Sequence, residues 1–280
     1  MLQIHAGVDW TRTQLAMPLS DGSTAPSYDD DALGTGLGLH GSRVGCDVLA
    51  EIEGRSTNID FMTPISSSDS IVAQLRKLRV LPVLVLSDAT RAVALGDALF
   101  NGGLPIAEIT LRTPAALDAI QRLSSERPQV VVGAGTVLTP AQAKEAIENG
   151  AQFIVSPGLN PAVVEYCQAR SIAIFPGVVT PTEIETAMRF GLHIVKFFPA
   201  EPAGGVRYLQ AVSAAYGNME FIPTGGLKRA SMATYLATGC VVACGGSWMA
   251  PDAWLSAGDF ARIERETKDT MMEVSAIQQS

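Results

Sequence analysis

The feature that most constrains this chain is an alternation of apolar runs and amphipathic stretches that starts near residue 68 and repeats to the C-terminal region. Val80-Leu-Pro-Val-Leu-Val-Leu86 is a continuous apolar run of strand length. Further runs follow at Ile106–Leu111, Val130–Gly133, Phe153–Ser156, Ile172–Phe175, His193–Phe198, Phe221–Pro223 and Val241–Cys244. Helical patterns separate them: Ala89–Asn101, a stretch opened by Thr113-Pro114, then Pro140–Asn149, Pro161–Arg170, Pro181–Phe190, Val206–Tyr216 and Lys228–Ala237. A long last helix is predicted over Ala257–Val274, and a short one over Ser70–Arg79 precedes the series. Thr before Pro is a good helix start, because the hydroxyl caps and the ring suits the first turn. Strands that are apolar throughout are those buried on both faces of a parallel sheet. Eight strand–helix units favour an α/β fold of the (β/α)8 TIM-barrel type.

Residues 1–66 break this pattern. They are rich in Gly, Ser, Thr and Asp, with no sustained helical or strand period. Residues 1–61 carry nine acidic and three basic side chains, which is most of the chain's formal charge of −8. The segment lacks the apolar core of a secretory signal and is too acidic for a transit peptide. It reads as a disordered N-terminal segment, or as a misassigned start with translation beginning at Met62. The barrel domain is then 67–280.

An acidic chain has no footprint for nucleic acid, and no apolar run reaches the ~18 residues of a membrane span. Cys46, Cys167, Cys240 and Cys244 form no C-x-x-C pair and read as buried, reduced thiols of a cytoplasmic protein. His5, His40 and His193 are too few for a histidine metal site, although carboxylates could still bind Mg²⁺.

In a barrel of this kind the reacting groups stand where apolar strands end. Lys77, Lys144, Lys228 and Lys268 fall in helical stretches or at their starts; only Lys196 sits inside an apolar strand, Ile194-Val-Lys-Phe-Phe198. Burial disfavours a charged amine, and the neutral amine is the form that attacks a carbonyl. Phe198 shares its face. A snorkelling or salt-bridged lysine is the alternative. Glu108, Thr110 and Arg112 alternate along the second strand, as an acid–base group with an anion clamp or as a buried structural ion pair. Gly225-Gly226 and Gly246-Ser247 follow the seventh and eighth strands, where barrels bind phosphate, although tight turns would look the same. Gly133-Ala-Gly135 is too isolated to signal a dinucleotide site.

Taken together, Glu108-Ile-Thr-Leu-Arg-Thr113, Gly133-Ala-Gly-Thr-Val-Leu138, Ser156-Pro-Gly-Leu159, Lys196-Phe-Phe-Pro-Ala-Glu201, Pro223-Thr-Gly-Gly226 and Gly245-Gly-Ser-Trp248 resemble the 2-keto-3-deoxy-6-phosphogluconate (KDPG) and 4-hydroxy-2-oxoglutarate (KHG) aldolase family, from about residue 70 to 270. The resemblance implies a class I aldolase that cleaves a 2-keto acid to pyruvate and an aldehyde, in the Entner–Doudoroff pathway for the phosphorylated sugar acid. It implies Lys196 as the Schiff-base lysine and Glu108 as the proton-transfer group. Arg112 and Thr136 would hold the pyruvate carboxylate, Pro157 and Phe198 would shape the pyruvyl pocket, and Thr224 would meet the hydroxylated chain. Gly225, Gly226, Gly246 and Ser247 would take the phosphate. It further implies a homotrimer, with no cofactor and no metal. The segment before about Ser66 is what compact family members lack. A phosphosugar isomerase or epimerase on the same barrel would use the same glycine loops but leaves Lys196 unexplained; a non-catalytic barrel leaves the whole set unexplained.

Overall fold

The computed structural model describes residues 67–279. The expectations of disorder, or of a start at Met62, fall on residues outside the described ones. So do Cys46, His5 and His40.

Helix α1 (Ser67–Leu78) leads into β1 (Val80–Leu84), and a 3-10 turn (Ala89–Arg91) opens α2 (Ala92–Asn101). The pattern continues with β2 (Ile106–Thr110), α3 (Ala116–Glu126), β3 (Val131–Gly135), α4 (Pro140–Glu148), β4 (Phe153–Val155) and α5 (Pro161–Gln168). Then come β5 (Ala173–Phe175), β6 (Gly177–Val178), α6 (Pro181–Arg189), β7 (Ile194–Phe197) and α7 (Gly205–Ser213). The described chain ends with β8 (Glu220–Pro223), α8 (Arg229–Leu236), β9 (Cys244–Gly246), α9 (Asp252–Ala257) and α10 (Phe260–Gln279). None of the described helices is long and apolar enough to cross a membrane.

Three helix starts follow the sequence rule. Thr139, Asn160 and Thr180 each accept a backbone N–H of the first turn, with Pro next in line. Glu183 closes a capping box with Thr180. Thr113-Pro114 does not follow it. Helix α3 starts at Ala116 with no side-chain cap, and the Thr113 hydroxyl donates instead to Leu86 O. That bond fastens the loop after β2 to the loop after β1. The expected last helix, Ala257–Val274, is α10; a short helix that was not expected, α9, precedes it and is closed by Gly258 in the left-handed conformation (φ 70°).

All pairings in the sheet are parallel. One run has the order β5-β4-β3-β2-β1-β9 and another β6-β7-β8. Pro176 separates β5 from β6: it has no N–H to give the ladder, though its carbonyl still accepts from Lys196 N at 2.9 Å. Isolated bridges Phe221↔Val241 and Thr224↔Gly245 connect the β8 and β9 segments. The result is an α/β fold on a curled parallel sheet. The apolar run expected as the eighth strand, Val241–Cys244, is shifted. Val80 pairs in register with Cys244, so the ladder with β1 runs through Cys244–Gly246.

The strands are buried on both faces, as their composition requires. Every residue of β2, β4, β5, β7 and β9 is buried. Fit is tight where glycines interrupt the apolar pattern. A Cβ on Gly133 would lie 2.2 Å from the Phe153 ring, which fills the space from the adjacent strand.

Candidate active site

Two charged side chains are buried inside this apolar sheet, and they are in contact. Lys196 stands on β7 and Glu108 on β2. Lys196 Nζ donates to Glu108 Oε1 at 3.2 Å, with only 7% and 1% of the two side chains exposed. Of the sequence alternatives, the Glu108–Arg112 ion pair does not form; the partner of Glu108 is the lysine. The ammonium also lies 5.4 Å from the centre of the Phe198 ring. Burying two charges gains little net stability even when they pair, which favours a chemical reason for the pair.

The second carboxylate oxygen sharpens that reason. Glu108 Oε2 is buried and has no hydrogen-bond partner among the described residues. An unmet buried acceptor costs about 1–3 kcal/mol, and native proteins keep few of them. One oxygen faces the amine; the other is open to a hydroxyl or a water.

Space for this carboxylate is made by Gly135, at the end of β3. A Cβ there would come 2.1 Å from Glu108 Oε1 and 2.7 Å from both Cδ and Cγ. Sequence reasoning passed over Gly135, since nothing local to Gly133-Ala-Gly135 reveals what lies across the sheet. The next residue, Thr136, has φ 57°, a value rarely adopted by β-branched residues. Such strain tends to cluster where function holds it. Pro157 is placed by a second glycine contact: a Cβ on Gly177 would lie 2.0 Å from Pro157 O, and Gly177 pairs in register with Lys196. Thr136 and Pro157 therefore sit at strand ends beside the pair, but neither lines the cavity described next.

That cavity, of about 250 Å³, gathers most of the remaining candidates: Arg112, Phe198, Thr224, Gly225, Gly226, Gly246 and Ser247. Arg112 lies beyond the end of β2, where its N–H turns back to Thr110 O at 2.7 Å. The side-chain alternation predicted from Glu108 thus stops at Thr110. The Arg112 side chain is exposed and has no hydrogen-bond or ion-pair partner among the described residues. Thr224 is buried, and Gly245 makes room for it: a Cβ there would lie 2.1 Å from Thr224 Oγ1. Trp248 packs on Gly246 and anchors its indole N–H on Thr270 Oγ1 at 3.2 Å. Gly245 and Trp248 are further supporting residues not singled out from sequence. Asp252 and Val83 also line the cavity.

The two buried cysteines among the described residues are unreactive. Burial pushes the Cys167 thiol up to about 11 and the Cys244 thiol up to about 12, so neither is a nucleophile at neutral pH. Among the described residues, no three His, Cys, Asp or Glu side chains gather as a metal site.

A buried amine against a buried carboxylate, beside a cavity with a free guanidinium and two glycine turns, can form an imine with a keto acid and hold an anion. Comparison with known proteins agrees with that class. The family model described as KDPG and KHG aldolase matches residues 71–266, and the chain belongs to that family. It is 43% identical over 208 residues to the 2-dehydro-3-deoxy-phosphogluconate aldolase of Treponema pallidum (strain Nichols), spanning 74% of this chain and 99% of the relative. The fold is similar to the 2-keto-3-deoxy-6-phosphogluconate aldolase of Zymomonas mobilis ZM4 solved with 3-phosphoglycerate (TM-score 0.68, 37% identity, 73% of this chain and 96% of that one). It is also similar to the KDPG aldolase of Legionella pneumophila, solved with pyruvate captured as a covalent carbinolamine (TM-score 0.69, 34% identity, 71% and 97%).

Proposed function

We propose that this protein is a class I aldolase that cleaves 2-dehydro-3-deoxy-6-phosphogluconate to pyruvate and glyceraldehyde 3-phosphate, and that also accepts 4-hydroxy-2-oxoglutarate, giving pyruvate and glyoxylate. The observation that carries the reading is the buried contact between Lys196 and Glu108. Family membership and the carbinolamine in the Legionella enzyme support it.

The chemistry runs through that contact. Glu108 takes a proton from Lys196, leaving a neutral amine beside a carboxylic acid. The amine attacks C2 of the keto acid, and the acid returns its proton to the carbinolamine hydroxyl, which leaves as water. The resulting iminium draws electrons from the C3–C4 bond. Glu108, directly or through a water on Oε2, removes the C4 hydroxyl proton; the bond breaks, giving the aldehyde and an enamine. The same group protonates C3 of the enamine. Hydrolysis releases pyruvate and restores the amine. Arg112 and Thr136 hold the substrate carboxylate, Pro157 and Phe198 enclose the pyruvyl methyl side, and Thr224 contacts the hydroxylated chain. Gly225, Gly226, Gly246 and Ser247 receive the phosphate. The 3-phosphoglycerate in the Zymomonas structure supports a phosphorylated acid as ligand of this family. No cofactor enters the scheme: the iminium supplies the electron sink.

The catalytic domain in this reading is 67–280, an eight-stranded barrel. The bridges from β8 to β9, and the continuation of β5 into β6 across Pro176, support closure. A homotrimer in the cytoplasm completes the reading.

Treatment with pyruvate and borohydride tests it. The expected result is a stable adduct on Lys196 in a peptide map; an unlabelled Lys196 rejects the mechanism. Gly135→Ala supplies a second check. Its methyl group displaces the Glu108 carboxylate, and misplacing a reacting group by about 1 Å costs roughly a hundredfold in turnover. A wild-type rate of pyruvate release from this variant would remove Glu108 from the chemistry.

A further inference from the structure

Tyr235, on α8, is a fully buried titratable side chain that the reaction scheme does not use. Its hydroxyl donates to Glu201 Oε1 at 2.8 Å. Burial and the neighbouring carboxylate push the phenol's pKa up, so it stays protonated and remains a donor. Glu201 is exposed and lies on the turn between β7 and α7.

That turn is joined to the Gly225-Gly226 turn along its length. Ala200 N donates to Thr224 O at 2.8 Å, and Glu201 N donates to Gly225 O at 3.0 Å. The stem of Glu201 packs against Gly226, where a Cβ would come 2.8 Å from Glu201 Cβ. Gly225 and Gly226 both have positive φ, 101° and 84°. Such a turn has no side chains with which to fix its own N–H groups, and glycine carries the largest backbone freedom of any residue. It must be held from outside. Glu201 does this with its backbone and stem, while Tyr235 holds the Glu201 carboxylate down. A carboxylate left loose beside an anion-binding turn would also repel the anion.

We propose that Tyr235 and Glu201 are positioning residues that set the Gly225-Gly226 turn for the substrate's phosphate and keep the Glu201 charge away from it. The inference rests on the assignment of the glycine turns to phosphate. It predicts a selective effect: binding of phosphorylated substrate depends on the Tyr235–Glu201 bond, whereas imine formation at Lys196 does not.

The experiment compares Tyr235→Phe, Glu201→Ala and Glu201→Gln with the unaltered full chain, using 2-dehydro-3-deoxy-6-phosphogluconate and 4-hydroxy-2-oxoglutarate. Tyr235→Phe is expected to raise KM for the phosphorylated acid about five- to tenfold, the scale of one typical net hydrogen bond. Its kcat, and both constants for the short acid, stay near wild type. Glu201→Ala breaks the same bond at its exposed end and gives the same selectivity should the buried substitution impair folding. Glu201→Gln keeps an acceptor for the phenol and is expected to restore KM. Ser247→Ala runs alongside as the control on the phosphate assignment. If Ser247→Ala raises KM selectively and neither Tyr235→Phe nor Glu201→Ala does, the positioning role is overturned and the phosphate assignment stands. Equal losses with both substrates in Tyr235→Phe and Glu201→Ala also overturn it, as a general structural effect. If Ser247→Ala shows no selectivity either, the phosphate assignment itself fails and the inference falls with it.

Discussion

Lys196→Met is expected to abolish pyruvate release to below one part in about 10⁵ of the wild-type rate, because among the described residues no other amine stands at the site and the reaction loses its electron sink. Methionine keeps the length and apolar stem, so the pocket retains its shape. The same substitution reports on the fold. It leaves Glu108 buried with neither oxygen paired, and removing one partner of a buried ion pair costs about 3–5 kcal/mol. The double variant Lys196→Met/Glu108→Gln removes the charge as well, and should unfold at higher urea than the single variant while remaining inactive. Turnover by either variant within a hundredfold of wild type would show that Lys196 is a structural lysine. A double variant no more stable than the single would mean that Glu108 does not depend on the lysine for its charge balance.

This pair also shows what a sequence can and cannot display. Lys196 was legible because its signal is local: one lysine inside Ile194-Val-Lys-Phe-Phe198, a run that otherwise demands burial. The strand–helix alternation was legible for the same reason, and so were the helix starts at Pro140, Pro161 and Pro181. The partner of Glu108 was not. Alternation along one strand suggested Arg112, but the backbone turns after Thr110 and the contact is made across the sheet to β7. Gly135 was invisible as a site residue for a related reason: its need for a missing side chain comes from Glu108 on the neighbouring strand. Thr113 misled because a Thr-Pro start is a local rule, while its hydroxyl serves a carbonyl on a different loop. The shift of the last strand to Cys244–Gly246 likewise depends on register with Val80, which apolar content alone does not specify. What was missed is what two distant stretches decide together.

Glu108→Gln separates the two halves of the mechanism. The amide keeps the volume and can still accept from Lys196 through its oxygen, so the packing around Gly135 and the pocket is preserved. It cannot take a proton, and its NH2 group presents a donor where Oε2 was an open acceptor. Cleavage needs that oxygen to accept a proton and enamine protonation needs it to give the proton back, and general acid–base help of this kind is worth about 10²–10⁴ in rate. Turnover should fall by that factor. Imine formation with pyruvate is less demanding, since the amine is no longer held against a carboxylate and solvent can carry the proton to the leaving hydroxyl. Borohydride should therefore still trap pyruvate on Lys196 in this variant, although slowly. Turnover near wild type would place the base elsewhere in the pocket. Loss of trapping together with loss of turnover, in a variant that still folds, would show that solvent cannot replace Glu108 in imine formation.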